Sequence, residues 1–285
     1  MSKKKIIIIL CAFLLLLVIL ISWIAWGNKA IELNPYTVES ARLPKAFDGF
    51  KIAQISDLHN TQIGKDNIRL ISLLKKAEPD IIVITGDMID SRRTDVDVAV
   101  NFAAEAVKIA PCYYVTGNHE SRLDAYKILR ERLISLGVTV LEDKSIELLR
   151  DGEKITLIGV NDSTFTSKLL EGDGIEKLID EKLKMLTSED DGFTVLLSHR
   201  PELFDVYVKN NVDIVFSGHA HGGQIRLPFI GGIYAPNQDF FPEYDGGLYS
   251  RDNTNMVVSR GIGNSRFPFR VNNRPEITLT ELKSK

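Results

Sequence analysis

The sequence predicts an α/β protein in which a layered β-sandwich is flanked by helices, with a transmembrane helix before it. From residue 51 onwards, short apolar runs typical of strands alternate with stretches of helical spacing. Of the 285 residues, 44% are hydrophobic and 26% are charged, which is the composition of an ordinary globular protein. The first 30 residues differ, because three lysines are followed by 21 residues without a charge.

The uncharged run Ile6–Trp26 has the length of a membrane span. At 1.5 Å per residue, it is long enough to cross a bilayer core of roughly 30 Å. Lys3–Lys5 precede the run, and Trp23 and Trp26 lie at its far end, where aromatic anchors are common. A cleaved signal peptide is the competing interpretation, although its apolar core usually has about 7–15 residues. We expect residues 1–30 to be an uncleaved anchor.

Charge predicts the orientation of this anchor. Three lysines lie on its short N-terminal side, and the first cation after the span is Lys29. The positive-inside rule then places the N-terminus in the cytoplasm. Residues 31–285, which contain no strong linker, are expected to form one extracytoplasmic domain of a single-pass cell-membrane protein.

Net charge and cysteine content give two further expectations, one about nucleic-acid binding and one about disulfides. The formal net charge of −3 gives no electrostatic reason to expect a nucleic-acid partner. Cys11 lies inside the apolar run and Cys112 lies in a short apolar strand, so no structural disulfide is expected.

The first half of the domain is predicted as strands and helices in turn. Residues 31–39 form an early strand, and the apolar run Lys51–Ile55 forms the next. Ile68–Ala77 has apolar side chains at helical spacing, and Asp80–Thr85 is a β-branched run typical of a strand. The same patterns predict a helix, a strand and a helix over Val96–Ile109, Cys112–Thr116 and Asp124–Leu136.

The second half follows the same pattern less regularly. Asp151 and Gly152 suit the turn of a hairpin between strands over Ser145–Leu149 and Lys154–Val160. A helix is predicted over Ile175–Leu186. Further strands are predicted over Phe193–Leu197, Val212–Phe216, Gln224–Leu227, Asn255–Arg260 and Glu276–Leu282.

Five predicted strands each end in side chains that can bind a metal. The segments contain Asp57 and His59; Asp87; Asn118, His119 and Glu120; His199; and His219 and His221, and they include all five histidines of the chain. A single histidine is more often a surface or core residue. However, a fold that aligns the carboxyl ends of its strands would bring all five segments together. Imidazole, carboxylate and carboxamide without thiolate suit Mn, Fe or Zn, and these ligands are too many for one tetrahedral site.

These segments resemble the calcineurin-like metallophosphoesterase family. The family's blocks D-x-H, G-D-x-x-D, G-N-H-E, a lone H and G-H-x-H occur here in order, at Asp57, Gly86–Asp90, Gly117–Glu120, His199 and Gly218–His221. The extension Gly222–Gln224 is similar to a bacterial branch whose members are often exported or membrane-associated.

The resemblance implies a role for each matching residue. Asp57, His59 and His221 would bind a first divalent metal ion, and Asn118, His199 and His219 would bind a second. Asp87 would bridge the two ions. His119 would face the substrate phosphate and stabilise or protonate the leaving group. Asp90 and Glu120 would have supporting hydrogen-bond roles.

The implied reaction is hydrolysis of a phosphoester or pyrophosphate bond by a metal-activated hydroxide, without a nucleophilic serine or cysteine. Arg266 and Arg270 are weaker candidates for binding the phosphate of a small-molecule or lipid substrate. The anchor favours a membrane or envelope substrate, and similar proteins include pyrophosphatases of UDP-2,3-diacylglucosamine. The alternative from another class is a non-catalytic, metal-stabilised binding module.

Overall fold

The computed structural model describes residues 1–165, 173–187, 192–264 and 267–285. Within them the helices are α1 (Lys3–Gly27), α2 (Ile68–Ala77), α3 (Val96–Ala106), α4 (Ala125–Ser135), α5 (Asp173–Thr187) and α6 (Phe204–Lys209). The strands are β1 (Glu32–Ser40), β2 (Lys51–Ile55), β3 (Ile81–Thr85), β4 (Cys112–Val115), β5 (Thr139–Val140), β6 (Lys144–Arg150), β7 (Glu153–Gly159), β8 (Thr194–Leu197), β9 (Ile214–Ser217), β10 (Arg226–Leu227), β11 (Gly231–Gly232), β12 (Tyr234–Ala235), β13 (Asp239–Phe240), β14 (Gly247–Arg251), β15 (Thr254–Val258) and β16 (Glu276–Ser284).

Two mixed sheets form the body of the domain. The first has the order β1-β16-β2-β3-β4-β5, in which β2 to β5 run parallel and β16 is antiparallel to β2. The second has the order β14-β15-β9-β8-β7-β6, in which the four inner strands are parallel and both edge strands are antiparallel to their neighbours. Two short ribbons, β10–β11 and β12–β13, lie outside these sheets.

The sheets pack face to face, and helices cover their outer faces. Alternate residues of β3 show this division, because Val83 joins the core between the sheets whereas Ile82 and Ile84 join the core that includes α2, α3 and α4. On the second sheet, Leu196 and Val215 belong to the core that includes α5 and α6. Both faces of the inner strands are therefore buried, which explains their nearly continuous apolar sequences.

This architecture confirms the predicted α/β fold class, with element boundaries that differ by a few residues. The helix over Ile68–Ala77 has the predicted bounds, whereas the helix predicted to reach Ile109 ends at Ala106, where hydrogen-bonded turns lead towards Pro111. The sequence prediction missed α6 and β14, which are both short. Both cysteines are free.

The N-terminal helix α1 is long and apolar enough to cross a membrane. Every one of its residues is at least partly exposed. The chain passes from the end of α1 into β1 through Asn28–Ile31.

Candidate metal centre

The five metal-competent segments meet at one edge of the sandwich. They follow β2, β3 and β4 of the first sheet and β8 and β9 of the second, and the ends of these parallel strands face one another. The structure buries every predicted ligand, namely Asp57, His59, Asp87, Asn118, His199, His219 and His221.

The first predicted ligand set forms a compact group. One ligand atom each from Asp57, His59 and His221 lies within 4.8 Å of the other two. His59 Nε2 lies 3.2 Å from His221 Nε2, and His221 Nε2 lies 3.4 Å from Asp57 Oδ1. Burial lowers the pKa of His59 to about 3 and that of His221 well below its usual value, so both imidazoles are neutral and able to bind a cation.

A second group contains Asp87, His199 and His219, again with ligand atoms within 4.8 Å of one another. Oδ2 of Asp87 lies 3.3 Å from His199 Nε2 and 3.6 Å from His59 Nε2 of the first group. Asp87 thus contacts both groups, as a bridging carboxylate must. Although burial raises the pKa of Asp87, the surrounding histidines, His199 above all, hold it well below its usual range.

The hydrogen bonds around the second group determine which ring nitrogens of its two histidines carry protons. His199 Nδ1 lies 2.7 Å from the Thr85 carbonyl oxygen and must donate to it, and His219 Nε2 lies 3.0 Å from Asn237 Oδ1. In the neutral rings, the lone pairs of His199 Nε2 and His219 Nδ1 therefore face each other at 3.2 Å. Two lone pairs at this distance repel unless a proton or a cation lies between them.

The surroundings shift the pKa values of these two rings in opposite directions. Burial lowers the pKa of His199, but the Asp87 and Asp57 carboxylates outweigh it and raise the pKa to about 10. Burial and the charge of His199 lower the pKa of His219 to about 3. Among the described residues, the buried Oδ1 of Asn118 also has no hydrogen-bond partner. These donors fit a divalent metal ion, since they are imidazole, carboxylate and amide groups without a thiolate.

Five of the seven predicted ligands have strained backbone. Asp57, His59, Asp87, His219 and His221 all have φ between 45° and 66°, the left-handed region that residues with a β-carbon rarely adopt. The glycines of the motifs allow the close approach of the loops. A β-carbon at position 117 would overlap the Asp87 carboxylate, and one at position 218 would overlap Ser56.

Glu120 connects two of the loops. Its Oε2 accepts the N–H groups of Asp87 and Gly117 at 2.9 and 2.8 Å, and its Oε1 accepts that of Ile89 at 3.3 Å. Burial and the nearby Asp87 raise the pKa of Glu120 to about 8, against the effect of these N–H groups. Glu120 thereby fixes the backbone on either side of Asp87, a larger role than its place in the motif indicates.

His119 is placed differently from the predicted ligands. Its Nδ1 accepts the backbone N–H of Ser91 at 3.0 Å, so the neutral ring carries its proton on Nε2. Nε2 lies 3.9 Å from Asp87 Oδ2, and the His119 backbone N–H donates to Asp87 Oδ1 at 2.8 Å. His119 also belongs to a third close group, with His59 and Asp90. Its protonated Nε2 makes it a hydrogen-bond donor there rather than a ligand.

Other side chains orient the histidines. His59 Nδ1, which has no hydrogen-bond partner among the described residues, points towards Asp90 Oδ2 at 3.9 Å. Asn273 donates to the carbonyl oxygen of His221 at 2.7 Å. Neither Asn237 nor Asn273 was predicted, because both lie in the irregular C-terminal part and belong to no recognisable motif.

The structure describes only one of the two weaker candidates for substrate-binding residues. Arg266 lies outside the described residues. Arg270 is buried with its Nη2 3.4 Å from His221 Nδ1, but its Nη1 donates to the Arg260 carbonyl oxygen at 2.6 Å and its Nη2 to that of Gly263. The N–H groups of its guanidinium are thus largely occupied by hydrogen bonds within the protein. Phosphate binding by Arg270 stays a prediction.

Comparison with known proteins adds a family match to this geometry. The family model described as calcineurin-like phosphoesterase matches residues 50–223. An uncharacterized metallophosphoesterase of Bacillus subtilis, YkuE, is 33% identical over 89% of this chain and 86% of its own length. The phosphodiesterase YaeI of Escherichia coli is 28% identical over 82% of each chain.

Two further similarities are to a transmembrane protein and to a solved structure. A transmembrane protein with a metallophosphoesterase domain from Danio rerio is 28% identical over 85% of this chain and 55% of its own length. The crystal structure of TT1561 from Thermus thermophilus is 12% identical and covers 75% of this chain and 90% of its own, with a TM-score of 0.52. At this identity, the likeness shows a shared fold.

Proposed function

Because this chain belongs to the calcineurin-like phosphoesterase family, we propose that it is a two-metal hydrolase of phosphoester or pyrophosphate bonds. The observation that carries the proposal is the position of Asp87, whose Oδ2 lies within 3.6 Å of a histidine from each of two ligand groups. Two divalent ions, from among Mn, Fe and Zn, would lower the pKa of bound water towards about 7 and offset phosphate charge.

In this proposal the side chains of the chain hold the reacting groups in place. Asp57, His59 and His221 would hold one ion and Asn118, His199 and His219 the other, and Asp87 would be shared between them. The outer hydrogen bonds described above fix the tautomers of His199 and His219, so that the rings require no rearrangement on binding. Burial of the ligands keeps their charges unscreened by water.

His119 supplies the proton. The Ser91 N–H fixes the tautomer of His119 that has the proton on Nε2. The Nε2–H group of His119 faces the region around Asp87. Nε2 would donate to the leaving-group oxygen of a phosphate bound there as negative charge develops.

The membrane anchor supports a membrane or envelope substrate. A helix of 25 residues near the N-terminus is long enough to span a bilayer, and relatives from two vertebrates are named as transmembrane proteins. We place the chain in the membrane-anchored branch on this basis, with the Gly222–Gln224 extension as a further sign. UDP-2,3-diacylglucosamine is a specific substrate to test.

The test is metal-dependent hydrolysis. The full chain in detergent would be stripped with EDTA, reloaded with Mn²⁺, and assayed on bis- and mono-p-nitrophenyl phosphate. Activity that EDTA abolishes and Mn²⁺ restores is the expected result, and the ratio of the two rates separates diesterase from monoesterase. Should two metal ions bind without cleavage of these esters or of UDP-2,3-diacylglucosamine, the non-catalytic alternative would replace the proposal.

A further inference from the structure

Beside the metal centre, the domain exposes an unusual number of large apolar side chains. We define this surface as the apolar rim, made of three stretches that contain Leu227, Phe229, Ile230, Phe240, Phe241, Phe267 and Phe269. Phe229 is fully exposed and Phe240 is 70% exposed. Elsewhere on the described part of the domain, large exposed apolar side chains lie one or two to an element, as is normal for a protein surface.

The three stretches are connected to one another. The side chain of Gln224 donates to the Phe269 carbonyl oxygen at 2.9 Å, and the Arg226 N–H donates to that of Val271 at 3.0 Å. These bonds join the first stretch to the third. Ile233 alone separates β11 from β12, so the ribbon that carries the second stretch directly follows the ribbon that carries the first.

The apolar rim is also fixed to the end of the transmembrane helix. The side chain of Asn28, the residue after α1, pairs with the backbone of Arg270 through two hydrogen bonds of 2.8 Å each. The Arg274 guanidinium lies 5.0 Å from the centre of the Trp26 ring and donates to the Ala30 carbonyl oxygen at 2.7 Å. The third stretch of the rim therefore lies beside the end of α1.

The same segments reach the metal centre. Asn237, in the loop between β12 and β13, bonds to His219 Nε2 at 3.0 Å. Asn273, a few residues after Phe269, bonds to the His221 carbonyl oxygen at 2.7 Å. Metal centre, apolar rim and helix end are thus neighbours on one side of the domain.

We propose that the apolar rim is a second membrane contact, which inserts into the interfacial layer of the bilayer that holds α1. The occupant is the bilayer because the rim is hydrogen-bonded to the residue at which the anchor ends, so the membrane surface is close to it. Its composition also suits that layer, since aromatic and apolar side chains are favoured where headgroups meet acyl chains. Exposed apolar patches of this kind commonly mark interaction sites.

This contact has a consequence for the substrate, which rests on the proposed function. With both the helix end and the rim at the membrane surface, the metal centre would open onto the headgroup layer. The substrate class would then be a lipid whose phosphate or pyrophosphate lies in that layer, presented without leaving the bilayer.

The test places a fluorescent probe on the rim of the full chain. In a Cys11→Ala background, Phe229→Cys, Phe240→Cys and Phe269→Cys would each be labelled with an environment-sensitive dye and reconstituted into nanodiscs that hold one copy. Cys112 is buried, and burial raises its pKa to about 12, so it stays unlabelled at neutral pH. Leu149→Cys is the matched control, because Leu149 is 74% exposed and lies on β6, an edge strand of the second sheet.

We expect blue-shifted emission at the three rim positions, and quenching by lipid-borne spin labels about twofold or more above that at position 149. Rim probes that remain as aqueous as the control would overturn the proposal. A blue shift without quenching by the labelled lipids would also overturn it, since the rim would then be covered by protein. The three positions are independent, so one variant that fails to fold leaves two. No readout depends on metal or turnover, which keeps this proposal separable from the proposed function.

Discussion

His119 and Asp87 face each other 3.9 Å apart, yet their other contacts differ. The Asp87 carboxylate contacts histidines of both ligand groups, whereas the His119 ring has one nitrogen occupied by a backbone N–H and the other protonated. Substitution of each residue should therefore affect metal content and turnover in different ways.

We predict that Asp87→Ala removes both activity and bound metal, because two cations would lose the negative charge shared between them. The measurement is metal content by mass spectrometry together with ester hydrolysis. Asp124→Ala is the control, since Asp124 is exposed and makes no capping hydrogen bond at the start of α4. Retention of both ions by the Asp87 variant would contradict its bridging role.

His119→Ala should keep both metal ions and lose about 10²–10⁴-fold in turnover, the range for loss of a general acid. The same two measurements apply, and a leaving group of low pKa should recover part of the lost rate because it needs less protonation. A variant with wild-type turnover, or one without metal, would remove His119 from the proposed role.

At the scale of residues, the sequence predicted the close grouping of the candidate ligands and supporting roles for Asp90 and Glu120, but not the loop groups that fix the histidine tautomers. All five histidines follow apolar strands, and that regularity was visible without a structure. Asn237 and the Ser91 N–H fix the tautomers of His219 and His119, but they come from loops whose path depends on tertiary packing. A local pattern contains no signal for such a contact.

At the scale of elements, a buried polar side chain joins the two sheets near the site. Gln54 on β2 donates to Thr85 Oγ1 at 2.9 Å and to the Ser217 carbonyl oxygen at 2.8 Å, and accepts from Thr278 Oγ1 at 3.0 Å. Ser217 ends β9 of the second sheet, so this network holds the carboxyl ends of strands from both sheets together.

We predict that Gln54→Met, which keeps the approximate shape, destabilises the chain by about 1–3 kcal/mol, because buried polar groups lose their partners. The midpoint of thermal unfolding in detergent should fall by about 2–8 °C. Gln62→Met at an exposed position is the matched control and should change stability by less than about 0.5 kcal/mol. Equal midpoints for the two variants would show that the network contributes little.

Long and regular elements were predictable, whereas short and irregular ones were not. The amphipathic period of Ile68–Ala77 gave its helix with the observed bounds, and Asp151 and Gly152 marked the turn between β6 and β7. By contrast, α6 has six residues and β11 to β13 have two each, too few for a period to be detected, and the strand predicted over Gln224–Leu227 forms only over Arg226–Leu227. These ribbons form through contacts with the site and the C-terminal segment.

At the scale of the whole molecule, the position of the domain depends on the helix α1. The hydrogen bonds of Asn28 to Arg270 fix the domain to the end of α1. In the proposed membrane arrangement, the side on which the metal centre lies would therefore follow from the orientation of α1. Its orientation depends on the charges that flank the span.

We predict that the domain lies outside the cytoplasm, because Lys3–Lys5 keep the N-terminal side of α1 inside, whereas Lys29 is the first cation beyond the span. A tag after Lys285 should be digested by protease added to intact spheroplasts. Protection of that tag until the cells are lysed would contradict the prediction. Replacing the three lysines with glutamine is the matched variant: it removes the excess of positive charge on the N-terminal side, so a larger fraction of tags should become protected. An unchanged fraction would mean that these lysines do not set the orientation, and that the apolar length of α1 or the folded domain decides it.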